Sequence, residues 1–399
     1  MQPTLSAQRK RITSIDILRG LAMVIMALDH TRDFFHVNAF TGNPLDMATT
    51  TPALFFTRWI THFCAPIFVF LSGTSIYLQS LRKTKKELSL FLIKRGIWLI
   101  LVEITIVNFA WRFDPFFHSI TLQVIWAIGM SMVLLGFIIR LPFKVILLLG
   151  LIIVFGHNLL DIPESAEGFK AGFLWDLLHH ANFNFYPIVP GVYLLIVYAF
   201  LPWTGVMILG YCTGVFFSQQ FSAEQRKKIF VRIGWALIVF FFVLRWSNFY
   251  GDPVHWSSQK NGLFTFLSIL NVNKYPPSLL YLSITIGPSF LLLAYFENVK
   301  TWFTEKMIVF GRTAFFYYIL HLYVIHLATT ICFLARGHSL SDGFNQPSSR
   351  INFVLPGEGF SLWIVWLIWL AVVIVLYPLC KRYDTYKRNH REKWWLSYL

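Results

Sequence analysis

Ten apolar runs follow one another along this chain, each about as long as a membrane-spanning helix. A helix needs roughly 20 apolar residues to cross the hydrocarbon layer of a bilayer. The alternation of polar and apolar positions that marks strands is absent, so helices are predicted. The predicted spans are 17–37, 54–81, 90–110, 120–139, 143–160, 202–218, 229–249, 276–297, 308–335 and 360–380.

Two further apolar segments are too irregular or too short to count among these ten. Residues 186–201 are broken by prolines, so they form either a re-entrant or interfacial segment or an eleventh span. Residues 262–272 are too short to cross a bilayer. The pattern therefore predicts an all-α, polytopic integral membrane helical bundle of about ten (10–11) transmembrane helices, built as a single domain over 1–399.

Composition and charge agree with a membrane location and set an orientation. The chain is 56% hydrophobic and only 13% charged, whereas soluble domains are about one quarter charged. Its net charge of +15 comes from lysines and arginines that concentrate in alternate connections. Such a bias marks cytoplasmic loops, which predicts both termini inside, with short basic tails at 1–13 and 381–399. It also explains the basic charge without nucleic acid as a partner.

The first span carries polar residues that should not face lipid. Asp29, Arg32, Asp33 and His36 recur at helical spacing and form one stripe on the outer half of the helix. A charge facing lipid near the bilayer centre costs about 2.5–3.5 kcal/mol. The stripe should therefore face the bundle interior or a wet cavity. It is either a functional site or an internal network of ion pairs that docks helices.

His30 lies about 100° round the same helix from Asp29 and can meet a different neighbour. A histidine that acts as a general base needs a partner to orient it. Other polar candidates are His62 in the second span, Asn273 and Lys274 before the eighth span, and Tyr317 and His321 in the ninth. No CxxC or HExxH spacing is present, so no metal is predicted.

Five motifs occur in order over nearly the whole chain and together resemble a known family. They are SIDILRG at 14–20, FVFLSG at 68–73, LPWTGVMILGY at 201–211, KYPPSLL at 274–280 and GRTAFFYYILH at 311–321. This set resembles the heparan-α-glucosaminide N-acetyltransferase-like proteins, including bacterial YeiB-like members. It also resembles the wider group of transmembrane acyltransferases.

The resemblance implies an enzyme of the bacterial inner membrane. Acetyl-CoA, or another acyl-CoA, would donate its acyl group from the cytoplasm to an amine or hydroxyl of an extracytoplasmic sugar or glycan. An active-site histidine at the outer end of the first helix would be His30 or His36, oriented by Asp29 or Asp33.

Further roles follow for the remaining polar candidates. Residues expected to bind the acceptor are Arg32, His62, Asn273, Lys274, Tyr317 and His321. The CoA phosphates would be held by the basic segments 82–95 and 226–232. Residues expected to bind the donor are Arg19, Lys94, Arg95 and Arg312.

A proton-coupled transporter or permease of a small polar solute is the main alternative. Intramembrane Asp, His and Arg side chains are also what such a carrier needs, and broken helices would suit it. No convincing inverted repeat is visible in the motifs or in hydropathy. A homo-oligomer is compatible with the sequence, because any lipid-facing helix can serve as an interface.

Overall fold

A computed structural model describes residues 12–181, 183–345, 351–390 and 392–397 of the chain. The described part is predominantly helical, in agreement with the predicted all-α class. The longer helices are α1 (Thr13–Phe35), α3 (Cys64–Ser80), α4 (Lys85–Val102), α6 (Val124–Ile138), α7 (Phe143–Gly156), α10 (Phe200–Thr213), α11 (Ala223–Ser247), α13 (Leu279–Tyr295), α14 (Trp302–Arg312), α15 (Ala314–Ala335) and α17 (Leu362–Asn389).

Short helices and three strands connect these elements. The short helices are α2 (Pro52–Trp59), α5 (Asn108–Arg112), α8 (Asp161–Glu164), α9 (Phe173–Leu178), α12 (Gly262–Leu270) and α16 (Leu340–Phe344). The strands are β1 (Ser119–Leu122), β2 (Phe185–Val189) and β3 (Val192–Ile196). A π-helical turn, Glu103–Val107, joins α4 to α5, and a 3-10 turn, Ile60–Phe63, joins α2 to α3.

Six helical stretches within the described residues are long and apolar enough to cross a membrane. They are Pro52–Ser80, Phe143–Glu164, Phe200–Phe217, Ala223–Ser247, Ala314–Ala335 and Leu362–Asn389. Two shorter apolar helices, α6 and α13, add to these. The fold is thus that of an integral membrane helical protein, while the full count of ten spans stays a prediction.

The segment 186–201 is a β-hairpin followed by a short connection to α10, and an eleventh helical span is wrong for it. Strand β3 pairs antiparallel with β2 and parallel with β1, giving the order β1-β3-β2. Gly191 makes the hairpin turn with a φ of +81°, which a residue without Cβ adopts readily. Pro187 lacks the N–H that a helix interior would need. Local strand pairing therefore rules out an eleventh helical span, and a re-entrant or interfacial segment stays a prediction.

The predicted span 308–335 is two helices rather than one. The chain leaves helical geometry at Thr313, with φ −110° and ψ 24°, so α14 ends and α15 begins there. Helix α14 packs along α1, where Gly311 and Gly20 allow the backbones to touch. A Cβ atom on Gly311 would lie 1.9 Å from the carbonyl oxygen of Asp16. The backbones of α1 and α14 can approach this closely only where the contact residues are glycine. This contact holds α14 against α1, so α14 does not continue along the axis of α15.

The chain ends differ from the prediction in their boundaries. Helix α1 begins at Thr13, four residues before the predicted start of the first span, while residues 1–11 of the predicted tail lie outside the described part. Helix α17 continues to Asn389, so much of the predicted tail 381–399 is helical. The tail is therefore partly an extension of the last helix.

Helix α1 has the most central position among the described helices. It packs against α3, α13, α14, α15 and α17, and most of its side chains are buried. Helices α7, α11 and α17 instead leave many large apolar side chains exposed, as lipid-facing helices do. The polar residues of α1 are consequently enclosed by protein, as their cost in lipid requires.

Candidate active site

The polar stripe of α1 is enclosed by a network of charges that joins two helices. The Arg58 guanidinium on α2 lies 2.5 Å from one carboxylate oxygen of Asp29, and Arg32 lies 3.0 Å from the other. Arg32 also pairs with the carboxylate of Asp33. Both basic residues therefore neutralise Asp29, which is buried. Asp29 is thereby held as a structural anion, since its two oxygens face arginine.

The loop before α13 contributes Lys274 to this network. Lys274 is buried and interacts electrostatically with Asp29. The neighbouring Asn273 is turned away: its backbone N–H donates to Asp252, and its side chain donates to the carbonyl of Pro276. Burial raises the pKa of Asp252 to about 6, although Arg245 lowers it. Lys274 thus joins the predicted site, whereas Asn273 shapes the loop.

His30 pairs with a histidine from α15 rather than with an aspartate of its own helix. Its Nδ1 lies 2.7 Å from Nε2 of His321, and the two rings stack with centroids 4.9 Å apart. Nδ1 of His321 lies 2.9 Å from the carbonyl oxygen of Tyr317, which can only accept. In the neutral pair His321 therefore accepts from Nδ1–H of His30. This arrangement leaves the lone pair on Nε2 of His30, the form that a general base needs.

Tyr317 supports this pair from the far side of His321. Its ring stacks on the imidazole with centroids 5.2 Å apart and planes 4° from parallel. Tyr317 and His321 are completely buried. The ring and the backbone carbonyl of Tyr317 therefore fix the orientation of His321, and His321 fixes that of His30.

The other two histidines predicted for the site have different surroundings. His36 ends α1, and its Nδ1 accepts a hydrogen bond of 3.2 Å from the backbone N–H of Asn38 in an exposed turn. His62 is 1% exposed, and neither of its ring nitrogens has a hydrogen-bond partner among the described residues. His62 lies near Arg58 and Lys274, within the charged network. Of the two alternatives for the base, only His30 has an orienting side chain.

A cavity of about 800 Å³ enters the bundle between α1, α3, α4, α6, α14, α15 and α17. We call it the inner cavity. Its mouth is lined by six basic side chains, Arg19, Lys83, Arg95, Arg312, Lys387 and Lys393. Its apolar end reaches Leu99, Ile125 and Tyr318. No aspartate or glutamate is among the described residues that line it. The inner cavity thus combines a cationic mouth with an apolar interior.

Three of the four residues predicted to bind the donor meet at this mouth. Arg19, Arg95 and Arg312 line the inner cavity, whereas Lys94 points away and is exposed. The basic segment 226–232 does not line it either. Arg226 instead pairs with the carboxylate of Glu297. Of the two basic segments predicted to hold phosphates, 82–95 therefore reaches the cavity and 226–232 does not.

A second cavity of about 480 Å³, the outer cavity, lies beyond the opposite end of the bundle core. Its polar walls come from Asp33, Arg112 and Gln123, and its aromatic walls from Phe40, Trp111, Phe183, Phe185 and Tyr275. A side chamber of about 290 Å³ shares Asp33 and Phe40 with it and adds Arg32 and His36. Aromatic faces beside charged groups are suited to a polar ring-shaped ligand.

His30 stands between the two cavities. Its ring centroid lies 4.8 Å from that of Trp111, which lines the outer cavity. The ring centroid of Tyr318, which lines the inner cavity, is 6.4 Å away on another side. One imidazole therefore contacts a wall residue of each cavity, although it lines neither of them.

Sequence reasoning missed Arg58, Trp111 and Tyr318 as site residues. A buried Asp29 needs a counter-ion, and Arg58 is the next arginine in the chain after Arg32, which is the signal that could have identified it. Tyr318 was noted within a motif but given no role. Trp111 carried no signal, because aromatic residues are abundant throughout this chain.

One group of side chains in the described residues has the spacing of metal ligands. Ligand atoms of Asp161, Glu164 and His179 lie within 4.8 Å of one another. Hydrogen bonds within the group and from its surroundings explain this proximity: His179 contacts Glu164 at 2.8 Å and His157 at 3.0 Å. The expectation of no metal stays a prediction.

Comparison with known families agrees with the motifs. A family model described as heparan-alpha-glucosaminide N-acetyltransferase, catalytic, matches residues 11–247, more than half of the chain. The match confirms the resemblance predicted from the sequence and includes α1, with His30, and the first four walls of the inner cavity up to α6. No curated protein is similar enough to count as a match.

Proposed function

Because the chain belongs to the heparan-α-glucosaminide N-acetyltransferase family, we propose that it moves an acetyl or other acyl group from acyl-CoA to an amine or hydroxyl of a sugar or glycan. The position of His30 between the inner and outer cavities carries this proposal. Donor and acceptor would approach it from opposite ends of the bundle.

The inner cavity is the proposed donor site. Basic side chains bind phosphate well, and the mouth of this cavity holds six of them. The apolar interior suits the pantetheine arm, which would lead the thioester toward Tyr318 and His30. A volume of about 800 Å³ falls in the range typical of sites for small molecules and cofactors.

The outer cavity is the proposed acceptor site. Trp111 and Tyr275 offer faces on which a sugar ring can pack, and Asp33 offers a carboxylate to its hydroxyl or ammonium groups. Arg32 and Lys274 lie in the charged network around it. The reacting amine or hydroxyl would then meet His30 beside Trp111.

The chemical step needs a base and a leaving group. Nε2 of His30 would take a proton from the acceptor as its nitrogen or oxygen attacks the thioester carbonyl. The carbon–sulfur bond breaks, the acyl group stays on the acceptor, and the CoA sulfur leaves with a proton. His321 orients His30 and shares the positive charge of the imidazolium, since Tyr317 holds it in place.

Orientation follows from this assignment. A donor made in the cytoplasm requires the mouth of the inner cavity to face the cytoplasm, which puts both termini there. Both termini on one side require an even number of spans, and the proposed number in the bacterial inner membrane is ten. The positive charges of the alternate connections support the same orientation.

Cysteine labelling would test this topology. A cysteine introduced at the exposed Lys260 should react with a membrane-impermeant maleimide in intact cells, whereas one at the exposed Lys144 should react only after the cells are lysed. Of the four native cysteines, Cys64, Cys212 and Cys380 are buried, and the half-buried Cys332 is replaced by serine in the parent protein. Labelling of the Lys144→Cys protein in intact cells would reverse the orientation and contradict the proposed donor side.

Donor use would be tested with acetyl-CoA labelled in its acetyl group and the purified protein in detergent. We expect saturable binding that unlabelled CoA displaces, and release of CoA when an amino sugar or polyol acceptor is supplied. A folded protein that binds neither acetyl-CoA nor a longer acyl-CoA would contradict the proposal. Counterflow of a polar solute in proteoliposomes, without a covalent product, would support the transporter alternative instead.

A further inference from the structure

Residues 392–397, the last that the structure describes, fold back onto the proposed donor cavity. Beyond the end of α17, a 3-10 turn at Trp394–Ser397 follows. Lys387, Lys393 and Leu396, which we call the C-terminal hook, line the inner cavity together with residues of α1, α3 and α4. The hook lies far outside the region matched by the family model. It is therefore a part of the cavity that family membership does not explain.

The side chains of the hook are held toward the cavity. Leu396 is only 3% exposed, although it lies three residues from the end of the given sequence. Nζ of Lys393 donates a hydrogen bond of 2.6 Å to the hydroxyl of Tyr386 and also lies over its ring. A single hydrogen bond leaves two N–H groups of that ammonium for a ligand. Lys387 is half-buried, while Lys381 and Arg382 on the same helix are exposed.

Arginines and lysines share the mouth of the inner cavity, and aspartates behind the wall contact two of the arginines. Arg312 lies 3.7 Å from Asp16 and 3.7 Å from Asp384, and Arg19 lies 3.7 Å from Asp16. Aspartates thus offset part of the charge of both arginines. No aspartate or glutamate is among the described residues that line the cavity, so its six basic side chains give the mouth a net positive charge. Positive charge at a partly desolvated mouth favours an anionic ligand with several phosphates.

The direction of the cavity decides which part of the ligand meets the hook. In the proposed function, on which this inference rests, the thioester must reach the end at Tyr318, beside His30. The opposite end of acyl-CoA carries the adenosine with its 3′-phosphate. We propose that the C-terminal hook binds this nucleotide end, with Lys387 and Lys393 on the 3′-phosphate and Leu396 as an apolar wall. The hook thereby selects full CoA thioesters over donors that lack the phosphate.

The test compares two donors on matched variants of the full chain. We would measure equilibrium binding of acetyl-CoA and of acetyl-3′-dephospho-CoA to the wild type, to Lys387→Ala/Lys393→Ala and to Lys381→Ala/Arg382→Ala. Each double variant removes two positive charges from the same segment. We expect the hook variant to lose about tenfold or more in affinity for acetyl-CoA and to bind the dephospho donor nearly as the wild type does. The exposed pair should leave both affinities unchanged.

Each outcome has a defined meaning. Equal binding of acetyl-CoA by the wild type and the hook variant overturns the role of the hook, and so does an equal loss for both donors, while the proposed function survives. A wild type that binds neither donor overturns the proposed function and the hook with it. A Lys387→Arg/Lys393→Arg variant separates charge from folding, because it should restore binding of acetyl-CoA if phosphate recognition is responsible.

Discussion

Replacing His30 with alanine should lower kcat for acyl transfer by roughly 100- to 10,000-fold, the usual contribution of a positioned general base. His30 is the histidine that contacts aromatic walls of both cavities and has a side chain to orient it. Binding of acetyl-CoA should change little, because His30 does not line the inner cavity. Radiometric transfer to an amino sugar, with binding measured in parallel, would separate the two effects.

The matched control is His36→Ala. His36 lies on the same helix, but its ring accepts a hydrogen bond within an exposed turn. We expect its replacement to keep kcat within a few-fold of the wild type. Loss of transfer in His36→Ala with retention in His30→Ala would reverse the assignment of the base.

His321 should behave as a positioning residue. His321→Ala removes the acceptor of Nδ1–H of His30 and should lower kcat less than His30→Ala does. It should also shift the pH profile of kcat, because the histidine pair would no longer share charge. A role in packing alone would leave the pH profile of the remaining activity where it was.

Replacing Arg58 with methionine should destabilise the protein by about 3–5 kcal/mol, since breaking a buried ion pair leaves a charge uncompensated. Arg58 lies 2.5 Å from Asp29, and both side chains are largely enclosed. Asp29 would keep only Arg32 as a close partner in the described part of the chain. Thermal unfolding in detergent, followed by size-exclusion of the heated sample, would measure the loss.

Two controls make this result specific. Lys228→Met removes a lysine from an exposed pair with Glu224 and should cost less than about 1 kcal/mol. The double variant Arg58→Met/Asp29→Asn removes the stranded charge and should regain part of the stability. If Arg58→Met melted at the same temperature as Lys228→Met, the charged network would not stabilise the site.

The His30 and Arg58 variants test two adjacent residues of α1: His30 as the proposed base, and Asp29 as a member of a stabilising ion-pair network. Asp29 and His30 are adjacent in sequence, but they face different neighbours because successive residues lie 100° apart on a helix. Asp29 joins Arg58 and Arg32 in a rigid wall, and His30 faces His321. In the proposed site His30 is oriented by His321, which lies 2.7 Å away. Orientation of a base by Asp29 or Asp33 stays a prediction.

The sequence determined the class of protein and the helix that carries the site. Runs of about 20 apolar residues require a bilayer, and four polar residues at helical spacing require an enclosed face on α1. The ordered motifs identified the family, which a match over residues 11–247 confirmed. These conclusions rest on local patterns that follow from helix geometry and the cost of charge in lipid.

Only the tertiary structure decided which distant residues meet. His30 and His321 are 291 positions apart, and Asp29 is joined to Arg58 across two helices. The break at Thr313 lies beside the close contact of Gly311 with Asp16, and the hairpin at 185–196 depends on the pairing of two strands. Spacing along one helix fixes which residues share a face. It cannot fix which face of another helix lies opposite, because that follows from the packing of the whole bundle.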